Sequence, residues 1–500
     1  MARAPTQSLI ARAAPFAARL AIAASDGGHT YRDLLDASAR VAAALLDGRE
    51  DLRQARVCFH IPPGFAHLAV QWGIWRAGGV AVPLAISYPQ PELEYVIRDA
   101  EPECVIAAGD GEPACRALAQ TTGARFIGAP EALAGGPVGA LPTIDPSRRA
   151  LIIYTSGTTG RPKGVVSTHA NISAQISALV TAWEWTPDDR VLLVLPLHHV
   201  HGVINVVACA LWSGATCEIL PAFEADAVWD VIIARRLTLF MAVPTIYRRL
   251  IAAFDAAPTT RQVQMRAGCA AMRLMVSGSA ALPVQTLERW REITGHTLLE
   301  RYGMTEMGMA LANPLHGARR PGSVGAPLPG VEVRVVTDAG SPVAEGIAGE
   351  LEVRGANVFQ EYWRRPDATR DAFRDGWFRT GDTAILENGA YRLLGRSSVD
   401  ILKTGGYKVS ALEIEEVLRE HPAVAECAVV GVEDPEWGDR VCVAVELRAG
   451  ATLALDALKA WTKDRLAPYK VPRDLRVVAA LPRNAMGKVV KPDVARLFTA

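Results

Sequence analysis

Apolar and polar positions alternate along the first part of the chain in two recurring patterns. Apolar residues return at helical spacing over 34–46, 67–77 and 92–99, which predicts helices with one buried face. Short continuous apolar runs at 57–61 and 79–84 lie between them and are typical of buried strands. Helices and strands that alternate in this way predict parallel sheets covered by helices.

The alternation continues to about residue 395 and predicts further strands at 150–154, 191–196, 217–220, 239–243 and 272–277. Glycine-punctuated β segments at 330–336 and 349–353 predict a β-barrel-like part of the same large domain. The pattern of residues 7–22 predicts a first helix. The segment 111–147 is rich in Ala, Gly and Pro, and it predicts a surface connection.

Residues 401–500 have the pattern of a compact α+β domain, with helices at 413–420 and 455–466 and strands at 424–432, 441–447 and 475–478. The small polar residues of 395–400 are typical of a linker. We therefore predict an α/β protein with a large N-terminal domain of layered α/β subdomains (1–395), a connection at 396–400 and a small C-terminal domain (401–500).

Composition excludes several classes of protein. Hydrophobic residues form 50% of the 500 positions and charged residues 21%, which excludes a disordered chain. Lys and Arg together number 53, as do Asp and Glu, so no bulk field attracts nucleic acid or an anionic membrane. No apolar stretch reaches the roughly 18 residues of a membrane span. We therefore expect no nucleic-acid partner, no membrane partner, and a monomer or weak dimer.

The eight cysteines include no Cys-x-x-Cys pair, and most lie in apolar runs, so we expect them to be buried and reduced. The N-terminus is rich in arginine, with Arg3, Arg12 and Arg19 before the first acid, Asp26. Starts of this composition occur in organelle transit peptides. Because the segment also fits a first helix, we predict a cytoplasmic protein, with an organelle matrix as the alternative.

The strongest local motif is glycine-rich and follows the strand predicted at 150–154. Residues 154–164 read Tyr-Thr-Ser-Gly-Thr-Thr-Gly-Arg-Pro-Lys-Gly. Glycines let backbone N–H groups converge on phosphate oxygens, hydroxyls add donors, and Lys163 adds charge. The Walker motif and the dinucleotide fingerprint are both absent from the sequence. The loop therefore predicts an anion cradle of another kind.

This loop resembles the signature of the adenylate-forming superfamily, which comprises acyl-CoA synthetases, peptide-synthetase adenylation domains and firefly-type luciferases. Six further segments resemble motifs of the superfamily and occur in the expected order: 277–280, 301–306, 379–382, 395–400, 403–409 and 482–488. The resemblance covers nearly the whole chain. It implies that ATP activates a carboxylic acid as an acyl-adenylate, that a thiol then takes the acyl group, and that the small C-terminal domain is a mobile lid.

The resemblance implies a site for ATP, Mg²⁺ and coenzyme A. The residues expected to contact ATP are Thr155, Ser156, Gly157, Thr158, Thr159, Gly160, Lys163, Gly278, Ser279, Ala280, Tyr302, Gly303, Met304, Asp382 and Arg396. Within this set, the loop holds the β- and γ-phosphates, Tyr302 stacks on adenine, and Asp382 binds the ribose with help from Arg396. Thr305 is expected to touch the α-phosphate. Glu306 is expected to hold Mg²⁺, a hard cation that suits a carboxylate.

By the same resemblance, catalysis depends on Thr305, Glu306 and Lys488. Lys488 would bridge the incoming carboxylate and the α-phosphate and stabilise the charge that develops there. Rotation of the lid about a hinge then withdraws Lys488 and presents a face for coenzyme A. The residues expected on that face are Gly405, Gly406, Tyr407 and Lys408. Asp400 is the expected hinge, with Val399 as the alternative, because the segment before the Gly-Gly pair is one residue longer than usual.

Arg301 indicates the class of acid. Many members of the superfamily carry glycine or another small uncharged residue at this position. A buried guanidinium costs several kcal/mol unless an anion meets it, so an acid with a second carboxylate is the expected partner. Arg249 is a second candidate cation for this acid, whereas Arg248 is expected to be solvated.

The histidine-rich segment 198–202 resembles a wall of the acyl pocket. His201 is the candidate to approach the substrate, His198 or His199 is expected to be structural, and Ser277 completes the substrate-binding set. Zinc is disfavoured here because no cysteine or acid stands close in sequence.

Residues 198–203, 299–306 and 398–409 together resemble the malonyl-CoA synthetase branch, nearest to the mitochondrial-type malonate-activating enzymes. This implies formation of malonyl-CoA, with methylmalonate as a further substrate. Three alternatives stay open: a synthetase for another short acid, an adenylation enzyme that loads a carrier protein, and a nucleotide-binding protein without catalysis. Intact Lys488 and Asp382 argue against the last.

Overall fold

The structure, a computed structural model, describes residues 9–136, 138–155, 162–235, 237–404, 407–484 and 487–499. Its helices are α1 (Leu9–Ala13), α2 (Tyr31–Leu46), α3 (Phe65–Arg76), α4 (Gln90–Ala100), α5 (Glu112–Thr122), α6 (Ala129–Ala134), α7 (His169–Ala182), α8 (Cys209–Ser213), α9 (Ala225–Arg235), α10 (Pro244–Ala256), α11 (Thr259–Cys269), α12 (Val284–Thr294), α13 (Pro366–Asp371), α14 (Ala411–Arg419), α15 (Leu455–Lys463) and α16 (Lys491–Arg496). Short 3₁₀ helices lie at Ala14–Phe16, Gly109–Gly111 and Pro468–Lys470, and a π-helix lies at His201–Ala208.

The strands are β1 (Leu20–Ala24), β2 (Gly27–Thr30), β3 (Arg56–His60), β4 (Val80–Pro83), β5 (Cys104–Ala107), β6 (Arg125–Gly128), β7 (Arg149–Thr155), β8 (Lys163–Thr168), β9 (Arg190–Leu193), β10 (Thr216–Ile219), β11 (Leu239–Ala242), β12 (Leu274–Ser277), β13 (Leu299–Met304), β14 (Gly308–Ala312), β15 (Ala326–Pro327), β16 (Val331–Val336), β17 (Gly349–Gly355), β18 (Glu361–Tyr362), β19 (Phe373–Arg374), β20 (Trp377–Glu387), β21 (Ala390–Arg396), β22 (Ile401–Thr404), β23 (Tyr407–Ser410), β24 (Val424–Asp434), β25 (Gly438–Leu447) and β26 (Asp474–Val477). The helices predicted at 34–46, 67–77 and 92–99 and the strands predicted at 57–61 and 79–84 are confirmed.

Two sheets form the centre of the large domain. One has seven strands in the order β18-β8-β7-β4-β3-β5-β6, and the other has nine in the order β15-β14-β13-β12-β11-β9-β10-β1-β2. Their central strands run parallel, and antiparallel pairs extend them at the edges. Every residue of β4, β5, β11 and β12 is buried. Side chains on both faces of these strands are buried, because helices cover both faces of each sheet. This explains why the strands are continuous apolar runs in the sequence.

A third sheet and a separate small domain complete the chain. The third sheet is antiparallel in the order β16-β17-β20-β19, with β21 on β20, and it occupies the predicted barrel-like segment. The small domain has the order β23-β22-β25-β24, with β26 beside β25, and carries α14, α15 and α16. The predicted fold class, a large N-terminal and a small C-terminal domain, is confirmed. The boundary at 396–400 stays a prediction.

Two predictions for the N-terminal third are wrong. The helix predicted over 7–22 ends at Ala13, and Leu20–Ala24 forms β1, which pairs with β2 and β10. Sheet pairing overrides the helical pattern there because β1 lies between those two strands. The segment 111–147, predicted as a surface connection, contains α5, β6 and α6. Its helix α5 buries Cys115 and Leu118 against β5 and β6, so the prediction is wrong for 112–134. The described residues of 135–147 form no helix or strand and are mostly exposed, as expected of a connection.

The cysteines are buried and unpaired, as predicted. Burial raises the pKa of their thiols, to about 11 for Cys115 and about 12 for Cys104. No helix within the described ranges combines the length and the apolar character needed to cross a membrane.

Candidate active site

Two of the predicted motifs, 277–280 and 301–306, meet at the carboxyl ends of β12 and β13. These strands are parallel neighbours, and Ser277 lies opposite Glu300 in their register. Carboxyl ends of parallel strands share one edge of a sheet, which is where open α/β sheets bind ligands. Gly278, Ser279 and Ala280 follow β12 directly along this edge, so the sheet itself brings the 277–280 motif beside Arg301.

Arg301 lies in the interior, with only 2% of its surface exposed. Its guanidinium covers Gly278, since a Cβ at that position would lie 2.7 Å from Cζ of Arg301. Nη2 donates to Oγ of Ser279 at 3.3 Å, while Nε and Nη1 have no hydrogen-bond partner among the described residues. Burial lowers the pKa of Arg301. A buried cation with two unpaired donors is suited to meet an anion.

Ser279 connects Arg301 to His201. Its Oγ lies 3.3 Å from Nδ1 of His201, and its φ of 68° is in the left-handed region that a serine rarely adopts. Burial, and then the charge of Arg301, hold the pKa of His201 well below its usual value, so the imidazole is neutral. Within the described part of the chain, Nε2 of His201 and Oγ of Ser277 also lack partners. The structure thus brings Ser277, Ser279, His201 and Arg301 together.

A second group joins three residues predicted to bind the nucleoside. Asp382 on β20 and Arg396 on β21 face each other in the antiparallel ladder, and Nε of Arg396 lies 3.1 Å from Oδ1 of Asp382. Tyr302 donates its hydroxyl to Oδ2 of Asp382 at 2.5 Å. Burial raises the pKa of Asp382, and the charge of Arg396 opposes that rise. The ladder register therefore explains how two distant motifs form one polar cluster. Stacking of Tyr302 on adenine stays a prediction.

A third group lies where the glycine-rich loop begins and ends. Thr155 on β7 and Lys163 on β8 are register partners, and Nζ of Lys163 lies 4.6 Å from the ring centroid of Tyr362. Tyr362 donates its hydroxyl to Oε1 of Glu306 at 2.9 Å. The predicted phosphate-binding lysine and the predicted Mg²⁺ ligand thus share a tyrosine that sequence reasoning missed. Tyr362 belongs to the two-residue strand β18, and no motif marks it.

Residues 303–306 form the end of β13 and the turn toward β14. A Cβ at Gly303 would lie 1.9 Å from the carbonyl oxygen of Gly308, so glycine is required for the close approach. The turn of Thr305 and Glu306, which follows Met304, is fixed because Phe359 N donates to the carbonyl of Glu306 at 2.6 Å. Across the described ranges, no cluster of three or more His, Cys, Asp or Glu side chains is arranged for a metal ion. A lone carboxylate such as Glu306 fits Mg²⁺, which binds chiefly through substrate phosphates and water.

Lys488 reaches the same region from the lid. Desolvation, and then the charges of Arg301 and Arg396, lower the pKa of Lys488, while Asp382 opposes them. The side chain of Lys488 is exposed, and it lies close enough to these three groups for their charges to act on it. Burial, followed by the charge of Lys488, lowers the pKa of His199 to about 4. His199 therefore lies near Lys488, and the structural role expected for His198 or His199 stays a prediction.

Several predicted residues lie outside the described part of the chain. They are Ser156, Gly157, Thr158, Thr159 and Gly160 of the loop, Gly405 and Gly406 of the coenzyme A face, and the side chain of Lys408. Tyr407 is described: it is 54% exposed, and its ring stacks on Tyr469 with centroids 4.1 Å apart. An exposed aromatic platform is compatible with the predicted coenzyme A face, which stays a prediction.

The two arginines of α10 differ from expectation. Arg249 is exposed, and its guanidinium lies 4.6 Å from the ring centroid of Phe223, so the described contacts do not bring it to Arg301. Its role in binding the acid stays a prediction. Arg248 forms an ion pair with Glu426 of the lid while 39% of its side chain stays exposed, so it is solvated only in part. The two residues are 178 positions apart, which no local pattern reveals.

Asp400 lies between the two domains. Its N donates to the carbonyl of Arg396 at 2.8 Å, and its Oδ2 accepts from Arg396 N at 3.0 Å. On the lid side, its carbonyl accepts from Ala411 N at 2.7 Å, and Oδ1 lies 3.4 Å from Nζ of Lys491. Val399 N also donates to the Arg396 carbonyl, at 3.2 Å. Asp400 contacts both sides, which supports its choice as hinge, and that choice stays a prediction.

Comparison with known proteins places these observations in a family context. A family model described as AMP-binding enzyme matches residues 10–363, and one described as the AMP-binding enzyme C-terminal domain matches 413–488. The chain is 48% identical to the mitochondrial malonate–CoA ligase ACSF3 of Mus musculus, over 97% of this chain and 89% of that protein. It is 40% identical to a malonate–CoA ligase of Arabidopsis thaliana, over 96% of this chain and 86% of that protein.

Solved structures give the same picture. ATP-bound MatB from Rhodopseudomonas palustris aligns with a TM-score of 0.91 at 36% identity, over 98% of both chains. Apo MatB from the same organism aligns over the same shares with a TM-score of 0.81. The chain thus aligns better with the ATP-bound MatB structure than with the apo one.

Proposed function

The chain belongs to the family of AMP-binding enzymes, and we propose that it is an ATP-dependent malonate–CoA ligase. It joins malonate to coenzyme A as malonyl-CoA and releases AMP and diphosphate, which makes it an AMP-forming acid–thiol ligase. One observation carries the choice of acid: Arg301 is buried and keeps two donors unpaired among the described residues. The identity to malonate–CoA ligases supports the same choice.

Recognition of malonate requires that one carboxylate be held while the other reacts. We assign the held carboxylate to Arg301, because charge-assisted hydrogen bonds from a guanidinium are short, strong and directional. Neutral His201 and the hydroxyl of Ser277 add polar contacts without adding charge. A monocarboxylate would leave the buried donors unpaired, whereas methylmalonate differs only by a methyl group, worth about 1–3 kcal/mol. Methylmalonate is therefore the expected second substrate.

In the first step, an oxygen of the free carboxylate bonds to the α-phosphorus of ATP, and the bond from that phosphorus to diphosphate breaks. We assign the β- and γ-phosphates to the loop from Thr155 to Lys163 and the ribose to Asp382 with Arg396. Thr305 and Lys488 contact the α-phosphate, where Lys488 stabilises the negative charge that develops. Mg²⁺, held by Glu306, supplies further neutralising charge when bound. Tyr362 orients Glu306 through its hydroxyl.

In the second step, the sulfur of coenzyme A bonds to the acyl carbon, the bond from that carbon to AMP breaks, and the thiol proton passes to solvent. Lys488 has no role in this step, so the lid is free to turn about Asp400. We assign the arriving pantetheine to the face from Gly405 to Lys408, of which the exposed ring of Tyr407 is the described part. We propose the corresponding division into a large domain (1–395) and a lid (401–500).

The test is release of diphosphate with MgATP and coenzyme A across acetate, butyrate, octanoate, oxalate, malonate, methylmalonate and succinate. A maximum at malonate, with malonyl-CoA as product, is expected. A maximum at a monocarboxylate would keep the adenylating mechanism and refute the role of Arg301. Diphosphate release with malonate but no malonyl-CoA would indicate a carrier protein as the acceptor instead.

We propose that the protein acts in the cytoplasm as a monomer or weak dimer. The similar malonate–CoA ligases of Mus musculus and Homo sapiens are mitochondrial, which makes an organelle matrix the competing compartment. Fractionation of source cells, followed by sedimentation of the purified chain, decides both points.

A further inference from the structure

Helix α10 of the large domain contacts the lid through a charged side chain. Nη1 of Arg248 donates to Oε2 of Glu426 on β24. Glu426 is nearly enclosed, with 9% of its side chain exposed, whereas 39% of the Arg248 side chain is exposed. The pair thus consists of an accessible arginine in one domain and a shielded carboxylate in the other.

Glu426 also contacts two arginines of its own domain. Arg419 Nε donates to Oε1 at 3.1 Å, and Arg483 Nη2 lies 3.7 Å from Oε2. Burial alone would raise the pKa of Glu426, but the charges of Arg419 and Arg248 outweigh it and lower that pKa. The carboxylate therefore stays ionised, and Arg248 and Arg483 meet at the same oxygen.

Arg483 connects this contact to the catalytic loop of the lid. Its Nη1 donates to the carbonyl of Gly487 at 2.8 Å, immediately before Lys488. The loop is further closed because Asn484 N donates to the carbonyl of Lys488 at 2.9 Å, and Lys488 N donates to Oδ1 of Asn484 at 3.0 Å. The loop also lies beside α10, since a Cβ at Gly487 would be 4.0 Å from Oγ1 of Thr245.

We propose that Arg248 is a positioning residue for adenylation: through Glu426 and Arg483 it holds the lid where Lys488 enters the site. This inference rests on the proposed function, because it gives Lys488 a role in the first step only. Among the described contacts, Arg248 does not reach Lys488 directly. Its effect is to favour the lid orientation in which the contact exists.

A contact made in one lid orientation shifts the population of lids by its own differential free energy. The exposure of Arg248 and screening by salt keep this contribution modest. We expect Arg248→Met to lower the rate of adenylation about tenfold, which corresponds to about 1.4 kcal/mol. Thioester formation from supplied malonyl-adenylate should be retained, since Lys488 is not needed there.

The experiment compares malonate-dependent exchange of labelled diphosphate into ATP with malonyl-CoA formation from supplied malonyl-adenylate. The matched control is Arg289→Met. Arg289 lies on α12, is 43% exposed, and pairs with Asp255 of the same large domain. It therefore tests loss of a similar surface arginine that does not reach the lid, and both half-reactions should be unchanged in that variant.

Two further variants separate positioning from a general structural effect. Arg248→Lys keeps the charge and should restore most of the exchange rate. Glu426→Gln should cost less in the Arg248→Met background than in the wild type, because the two residues act through one contact. A higher salt concentration should reduce the difference in exchange rate between the wild type and Arg248→Met, because salt screens an accessible ion pair.

Equal losses in both half-reactions of Arg248→Met, an unchanged exchange rate, or the same loss in Arg289→Met would each overturn the inference. Failure of the proposed function has a different signature. Wild-type protein that exchanges no diphosphate with malonate or methylmalonate contradicts the choice of acid before any variant is compared.

Discussion

Replacement of Arg301 by methionine is the sharpest test of the acid. Methionine keeps an unbranched side chain over Gly278 and removes the charge and all the donors. Arg301 has two nitrogens without a partner among the described residues. Two charge-assisted hydrogen bonds at about 1.5–3 kcal/mol each give a gross contribution of about 3–6 kcal/mol. Since water in the enlarged pocket recovers part of this, we take the lower end, about 3 kcal/mol, or roughly 100-fold.

Arg301→Met should lower kcat/KM for malonate and leave kcat/KM for acetate nearly unchanged. Arg301 holds the unreactive carboxylate equally before and during the reaction, so KM for malonate should rise while kcat changes little. The assay is steady-state diphosphate release at saturating MgATP and coenzyme A, with acetate as the matched substrate. Equal losses of kcat/KM for both acids would refute the reasoning and make Arg301 a scaffold residue.

Arg301→Met should also affect thermal stability, in the direction opposite to its effect on the use of malonate. In the absence of malonate, Arg301 is a buried charge without an acidic partner in the described contacts, and its burial costs free energy. Arg301→Met should therefore leave the thermal midpoint of the ligand-free protein unchanged or raise it. Added malonate should raise the midpoint of the wild type but not of the variant. A large drop in the ligand-free midpoint would contradict this account.

Three other predictions concern separate parts of the site. Lys488→Ala should slow adenylation roughly 10²- to 10³-fold and leave thioester formation from malonyl-adenylate intact, and equal losses would contradict the proposed lid rotation. Tyr362→Phe should raise KM for MgATP several-fold and leave KM for malonate unchanged, because only the hydroxyl on Glu306 is lost; a change confined to malonate would contradict the assignment. Burial raises the pKa of Glu300 from 4.5 to about 8, so this carboxyl is protonated in the folded chain while the unfolded chain ionises. Stability should therefore fall as pH rises from about 4.5 to about 8, and Glu300→Gln should flatten that fall in urea unfolding; an unchanged slope would contradict it.

Local patterns were sufficient for most of the fold. Apolar periodicity placed α2 and α3, and continuous apolar runs placed β3, β4 and β11, because helices on both faces of a parallel sheet impose those patterns. The strand Leu20–Ala24 was missed because its neighbours β2 and β10 decide its structure, and β10 is far away in sequence. Segment 112–134 was missed because alanine and glycine are weak signals of burial.

The candidate site shows the same division. Motifs in sequence order were enough to expect Arg301, Ser279 and Asp382 in one place. The contacts of Tyr362 with Glu306 and of Arg248 with Glu426 were not predicted, because each joins residues that are distant in sequence and neither Tyr362 nor Arg248 belongs to a motif. Contacts of that kind depend on strand register and domain docking, which a single sequence does not display.

Arg396 contacts both the proposed ribose pocket and the proposed hinge. Its side chain forms an ion pair with Asp382 in the proposed ribose pocket, and its backbone N and O form hydrogen bonds with Asp400 at the proposed hinge. We therefore expect a ligand that contacts Arg396 in the pocket to affect the proposed hinge as well. We expect a nucleoside analogue that binds Asp382 and Arg396 tightly to slow rotation of the lid. An analogue that does not contact Arg396 should compete for the pocket without slowing that rotation. We therefore expect inhibitors of this protein to differ in their effect on lid rotation as well as in their affinity.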